Sequence, residues 1–183
     1  MTELGLLAAQ VGVSERTLRR AVNQGTVRAT RRTPRTLEIS LSEKRYVRRS
    51  WSVLATLRAA LRTEPNIRLA VVFGSAARGT DTSRSDVDVL VDLRDASLER
   101  VVDLSGKLTT IVGRPVDVLR LQDAERDPSL LADVVADGRV LVDREELWSR
   151  LRRSLPTLQR RGHEHEVRRT EAALTSIDRL VAA

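Results

Sequence analysis

Three strand-length apolar runs lie close together in the sequence, two of them carrying carboxylates where a hydrophobic core would exclude them, and this pattern constrains the chain most. Ile67 to Phe73 (IRLAVVF) has a single charge, the mark of a strand buried on both faces. It stops at Gly74-Ser75, where a strand feeding a short helix exposes backbone N–H groups suited to a phosphate. Ten residues later come Asp86-Val87-Asp88 and the apolar VLV. Side chains alternate along a strand, so Asp86 and Asp88 share a face. Adjacent carboxylates repel each other; a divalent cation relieves that repulsion, and hard oxygen ligands suit Mg²⁺. Leu98, Val101, Val102, Leu104, Leu108 and Ile111 then mark a helix over about 97–112. RPVDVLRL follows as a strand with Asp117 between Val116 and Val118. An acid there is costly unless it is paired, metal-bound or at the sheet's edge.

Gly-Ser, about ten residues, Asp-x-Asp and a later Asp on a neighbouring strand resemble the minimal nucleotidyltransferase family of the DNA polymerase β-like superfamily. Here the pattern reads GSAARGTDTSRSDVDV and then VDV, and the resemblance covers roughly residues 65–142. It implies a mixed sheet with helices and two-metal nucleotidyl transfer using Mg²⁺, with ATP as the nucleotide. Gly74, Ser75 and the adjoining helix start would hold the triphosphate. Asp86 and Asp88 would bind the metals, and Asp117 would complete the second metal site and help deprotonate the attacking hydroxyl. Ser85 joins the nucleotide-binding candidates, although it and Ser83 also suit ordering of the loop. Arg78 either contacts phosphate or forms a surface ion pair. The family also implies a role: such proteins often act as antitoxins that modify a toxin partner, commonly of the HEPN type.

Net charge is +7, and it is unevenly placed. Residues 1–62 hold 13 basic and 4 acidic residues, a balance of +9, and the remainder stands at −2. A compact basic segment beside a near-neutral one points to a nucleic-acid partner. Within it, residues 3–10 read as a helix, Gly12 as a turn, Ser14 as an N-cap and Gly25 as the end of a second helix. LLAAQVGVSERTLRRAVNQG resembles the helix-turn-helix family, which implies major-groove contact by Arg16, Thr17 and Arg20, with Arg19 on phosphate. Strands near 26–31 and 36–40 around Pro34 resemble a wing. Its Arg28, Arg31, Arg32 and Arg35 would position the phosphate backbone. Ser42 is expected to cap a long helix to about Leu61, with Val47, Trp51, Leu54 and Leu61 on one face and Arg58 interrupting it.

The fold class expected is therefore α+β: a winged helix-turn-helix over 1–62, a transferase domain over 63–143 and a C-terminal helical segment over 144–183, divided by Pro156. Val167, Ala173, Leu174, Ile177 and Leu180 give the last helix an apolar stripe suited to the core, a homodimer or a partner. His163 and His165, two apart, do not converge on a helix and read as solvent-exposed. The absence of cysteine excludes disulfides and cysteine catalysis. Glu3, with no basic region ahead of the first apolar residues, argues against a signal peptide, and no run approaches a membrane span, so a cytoplasmic location is expected. Two other functions fit the same residues: a nucleotide-sensing regulator with an inactive transferase fold, and transfer to tRNA or a small molecule.

Overall fold

Capping chemistry sets the first helices. In a computed structural model that describes residues 2–33 and 36–181, with side chains through Glu171, Thr2 and Ser14 accept bonds from Gly5 N and Thr17 N. They open α1 (Glu3–Gln10) and α2 (Glu15–Gln24). Gly25, at φ +83°, closes α2 in the left-handed conformation. Strands β1 (Thr30–Arg31) and β2 (Leu37–Glu38) form a short antiparallel ladder. It is shorter than the sequence pattern suggests because the preceding residues are engaged elsewhere. Gly25 O accepts from Val140 N, Thr26 Oγ1 donates to Val140 O, and Arg28 N donates to Glu43. Pro34 and Arg35 lie outside the described residues.

Helix α3 (Leu41–Arg62) is capped by Ser40, whose hydroxyl accepts from Glu43 N, rather than by the expected Ser42. Both serines precede an apolar-periodic stretch, but only Ser40 stands three residues before a glutamate, the capping-box spacing. Strand β3 (Ile67–Phe73) leads into α4 (Gly74–Arg78), then β4 (Val87–Leu93), α5 (Leu98–Val112) and β5 (Val116–Arg120). The helices α6 (Leu121–Ala124) and α7 (Pro128–Asp137), strand β6 (Arg139–Asp143) and helix α8 (Leu147–Val181) complete the chain. Helix α8 runs unbroken through Pro156, contrary to the expected division. Proline removes only its own bond to the Arg152 carbonyl, and both residues are exposed, so water can take that carbonyl. The apolar stripe expected beyond Glu171 lies outside the described side chains.

The four-stranded sheet has the order β5-β4-β3-β6, with β4 and β5 parallel and the other pairs antiparallel. Alternation divides its residues between two cores. Ala70, Val72, Val89 and Val91 pack with Leu108 of α5 and with Leu7, Leu18, Val47, Leu54 and Leu57 of the first three helices. Leu69, Val71 and Leu90 pack on the opposite side with Leu131, Val135, Trp148 and Leu158 of α7 and α8. The first core runs without a break across residues 62–63, so the amino-terminal helices and the sheet share one interior. Among the described residues no helix is long and apolar enough to cross a membrane.

Candidate active site

The end of β3 and the starts of β4 and β5 meet at one rim of the sheet. Phe73 pairs with Asp88, and Asp88 pairs in turn with Asp117. Asp88 shares its face with Leu90, and Asp117 with Leu119, so both carboxylates stand on the side covered by α7 and α8. Gly74 follows Phe73 at φ +65°, and a Cβ built there would lie 2.3 Å from Asp88 Oδ2. Only glycine lets this turn accept the carboxylate at such close range. Burial pushes the Asp88 carboxyl above its ordinary range; Asp117 and Asp86 push it the same way, and Arg78 opposes them. Asp88 is half-buried, whereas Asp86, just before β4, and Asp117 are exposed.

The trio is open. Among the described residues no three His, Cys, Asp or Glu side chains already converge tightly enough to hold an ion, although the sequence suggests a closed cluster. Each neighbouring carboxylate raises the cost of ionising Asp88. The donor set nevertheless fits Mg²⁺: hard carboxylate oxygens on adjacent strands, in register, with one charge in conflict with its neighbours.

The other expected residues divide by what they touch. Ser75 follows Gly74 in the first turn of α4, and its carbonyl accepts from Gly79 N. Ser85 is engaged within the loop, where its hydroxyl accepts from Thr82 N at 3.0 Å. Arg78 is exposed and pairs with Asp137 at 3.4 Å. On α2, Arg16, Thr17 and Arg20 are exposed, whereas Arg19 is tied to Glu15 at 2.7 Å. Arg32 pairs with Glu38, Arg28 donates to the Asp137 carbonyl at 2.6 Å, and Arg31 lies 3.5 Å from Asn23 Oδ1.

Several residues that support the site escape sequence reasoning. Tyr46 OH donates to Ala76 O at 3.0 Å and Arg139 Nε to Ala77 O at 2.7 Å, so α4 is held from beneath. Arg139 is buried, lies 3.4 Å from the centroid of the Tyr46 ring, and grips Glu43 with both terminal nitrogens at 2.6 and 2.9 Å. The loop before Asp86 is fixed through Asp81, which pairs with Arg49 and, at 2.9 Å, with Arg114. A glutamate in a basic helix and an arginine opening an apolar strand are the only sequence signals for the Glu43–Arg139 pair.

A strand-to-helix bend at Gly74-Ser75 opposite in-register carboxylates defines a nucleotidyltransferase fold. The chain belongs to the polymerase beta nucleotidyltransferase family, whose model matches residues 55–147. No curated protein matches the sequence. Among solved structures, a chain from the crystal structure of a toxin-antitoxin with AMP-PNP aligns at 21% identity and TM-score 0.50, over 69% of this chain and 96% of that one. A chain from the complex of the tri-AMPylated Shewanella oneidensis HEPN toxin with MNT antitoxin aligns at 19% identity and TM-score 0.50, over 70% and 98%. A chain from a double-mutant form of the MntA-HpeT toxin-antitoxin aligns at 19% identity and TM-score 0.52, over 68% and 97%.

Proposed function

We propose that this protein transfers AMP from ATP to a hydroxyl of a partner protein, as an antitoxin neutralising a HEPN-type toxin. The observation that carries the reading is the register pair Asp88–Asp117 beside the Gly74 bend. Gly74 and Ser75 present backbone N–H groups to the triphosphate at the bend. Asp86, Asp88 and Asp117 would hold Mg²⁺, which supplies neutralisation of phosphate charge and orients the leaving pyrophosphate. Asp117, exposed at the rim, would accept the proton of the attacking hydroxyl. Attack on the α-phosphorus forms the new phosphoester bond and breaks the bond to pyrophosphate. The toxin as acceptor is suggested by the structural neighbours, which are toxin-antitoxin complexes.

The test is transfer of label from α-labelled ATP to a HEPN-type toxin with Mg²⁺ present, comparing wild type with Asp86→Asn and Asp88→Asn. The reading expects label on the toxin, lost in both variants. Absence of transfer by wild type to any such partner, with the variants indistinguishable from it, sinks the proposal.

The exposed Arg16, Thr17 and Arg20 on α2 support a second activity of the same chain, duplex DNA binding that would allow operon autoregulation. Fluorescence anisotropy across a salt series measures it. Unchanged affinity in the Arg16→Ala and Arg20→Ala variants rejects α2 as the reading helix.

A further inference from the structure

Between α2 and α3 lies a cleft of about 270 Å³ with Thr17, Arg20, Arg58 and Arg62 on its walls and Trp51 and Leu54 among its apolar lining. No carboxylate lines it. Arg58 occupies the position where the apolar face of α3 is interrupted. Its Nη2 donates to Gln24 Oε1, and its Nε is buried with no partner among the described residues. Burial makes its cation harder to maintain, and the neighbouring Arg62 and Arg20 add to the effect. Arg20 and Arg62 make no ion pair among the described residues. Of the three guanidinium groups, Arg58 alone has an acceptor among the described residues, the neutral Gln24.

Arg114 also has a buried Nε without a partner, but its charge is answered by Asp81 at 2.9 Å. Arg139, more deeply buried, has every nitrogen bonded and a carboxylate in its fork. The α2–α3 cleft departs from both in that its positive charge has no counter-charge among the described residues.

We propose that this cleft is a phosphate-binding site, in which Arg58 and Arg62 of α3 and Arg20 of α2 close around a tetrahedral oxyanion. Planar guanidinium forks suit phosphate oxygens; Thr17, also on the wall, has its hydroxyl 2.9 Å from Ser14 Oγ. The phosphate comes either from the backbone of a duplex lying on α2 or from a free phosphate compound. The site is separate from the Gly74 bend, so it stands or falls independently of nucleotidyl transfer.

The experiment follows the arginine Nε–Hε resonances of the ¹⁵N-labelled full chain during titration with inorganic phosphate, against chloride at matched ionic strength. Arg58→Gln assigns the Arg58 signal. Arg62→Gln, a change at an exposed side chain, is the variant whose folding is not at stake. A saturable shift of the Arg58 signal with phosphate, weakened at least tenfold in Arg62→Gln, is expected. A shift that is absent, or that does not saturate beyond the chloride control, overturns the proposal whatever the duplex measurement gives.

The source is read from duplex binding across a salt series. If the phosphate belongs to the backbone, Arg62→Gln lowers the log–log salt slope by about one, the change for one phosphate contact. With the phosphate titration positive, an unchanged slope assigns the site to a free phosphate compound.

Discussion

Arg139 and Asp88 flank the same end of β3, pairing in register with Val72 and Phe73, yet they are charged groups of opposite kinds. Arg139 projects into the face covered by α3. There it is neutralised by Glu43, bonded at every nitrogen and set against the Tyr46 ring. Asp88 stands on the other face with no ion pair among the described residues and two carboxylates working against its ionisation. A satisfied charge fastens elements together: Arg139 ties the end of α2, the start of α3 and the end of α4 into one joint. An unsatisfied one stores unfavourable energy that a ligand can release. The chain thus spends its balanced pair on architecture and keeps its imbalance at the rim where chemistry takes place.

Removing one partner of the balanced pair tests this contrast most severely. Glu43→Gln leaves a buried guanidinium uncompensated and should cost about 3–5 kcal/mol in urea unfolding. Replacing both partners, with Glu43→Leu and Arg139→Met together, should recover most of that loss. If the single change were harmless, the joint would not be the fastening described.

At the rim the effect should fall on turnover instead. Asp117→Asn should lower label transfer by about a hundredfold or more, roughly 2.7 kcal/mol, with little change in the unfolding midpoint. Gly74→Ala joins the two regimes. Its left-handed backbone costs about 1–2 kcal/mol with a side chain attached, and the new methyl must displace the Asp88 carboxylate, so stability and turnover should fall together.

The smallest effect has the opposite sign. The Asp88 carboxyl titrates higher in the folded chain than its ordinary 3.8, so its charged form opposes folding. That opposition is absent below about pH 3.8. It grows as the pH rises through the raised folded value and is complete above it. In chelator, Asp88→Asn should therefore melt slightly higher than wild type at neutral pH, and the gap should close in acid. A melting point below wild type at pH 7 would mean that the carboxylate stabilises the rim.

The strands were legible because their signal is local: apolar runs of strand length identify β3, β4 and β5, and the register places Asp88 beside Asp117. Ser14 and Gly25 announced α2 in the same way, through chemistry that acts within one turn. The Glu43–Arg139 joint was not legible, since its partners lie 96 residues apart and each alone reads as a surface charge. The hairpin was overdrawn for a related reason: alternation suggests longer strands, but Thr26 and Arg28 take their partners from β6 and α3. Whether the three carboxylates already group tightly also lay beyond the pattern, which gives order along a strand but not the separation of side-chain oxygens.

Gly25 and Thr26 seated on Val140 have one more effect. Strand β6 is the outermost on its side of the sheet, and an outer strand ordinarily offers its free amides to any passing extended chain. The chain guards that border with its own amino-terminal segment, so an intruding strand must first dislodge two helices that share the interior beneath it.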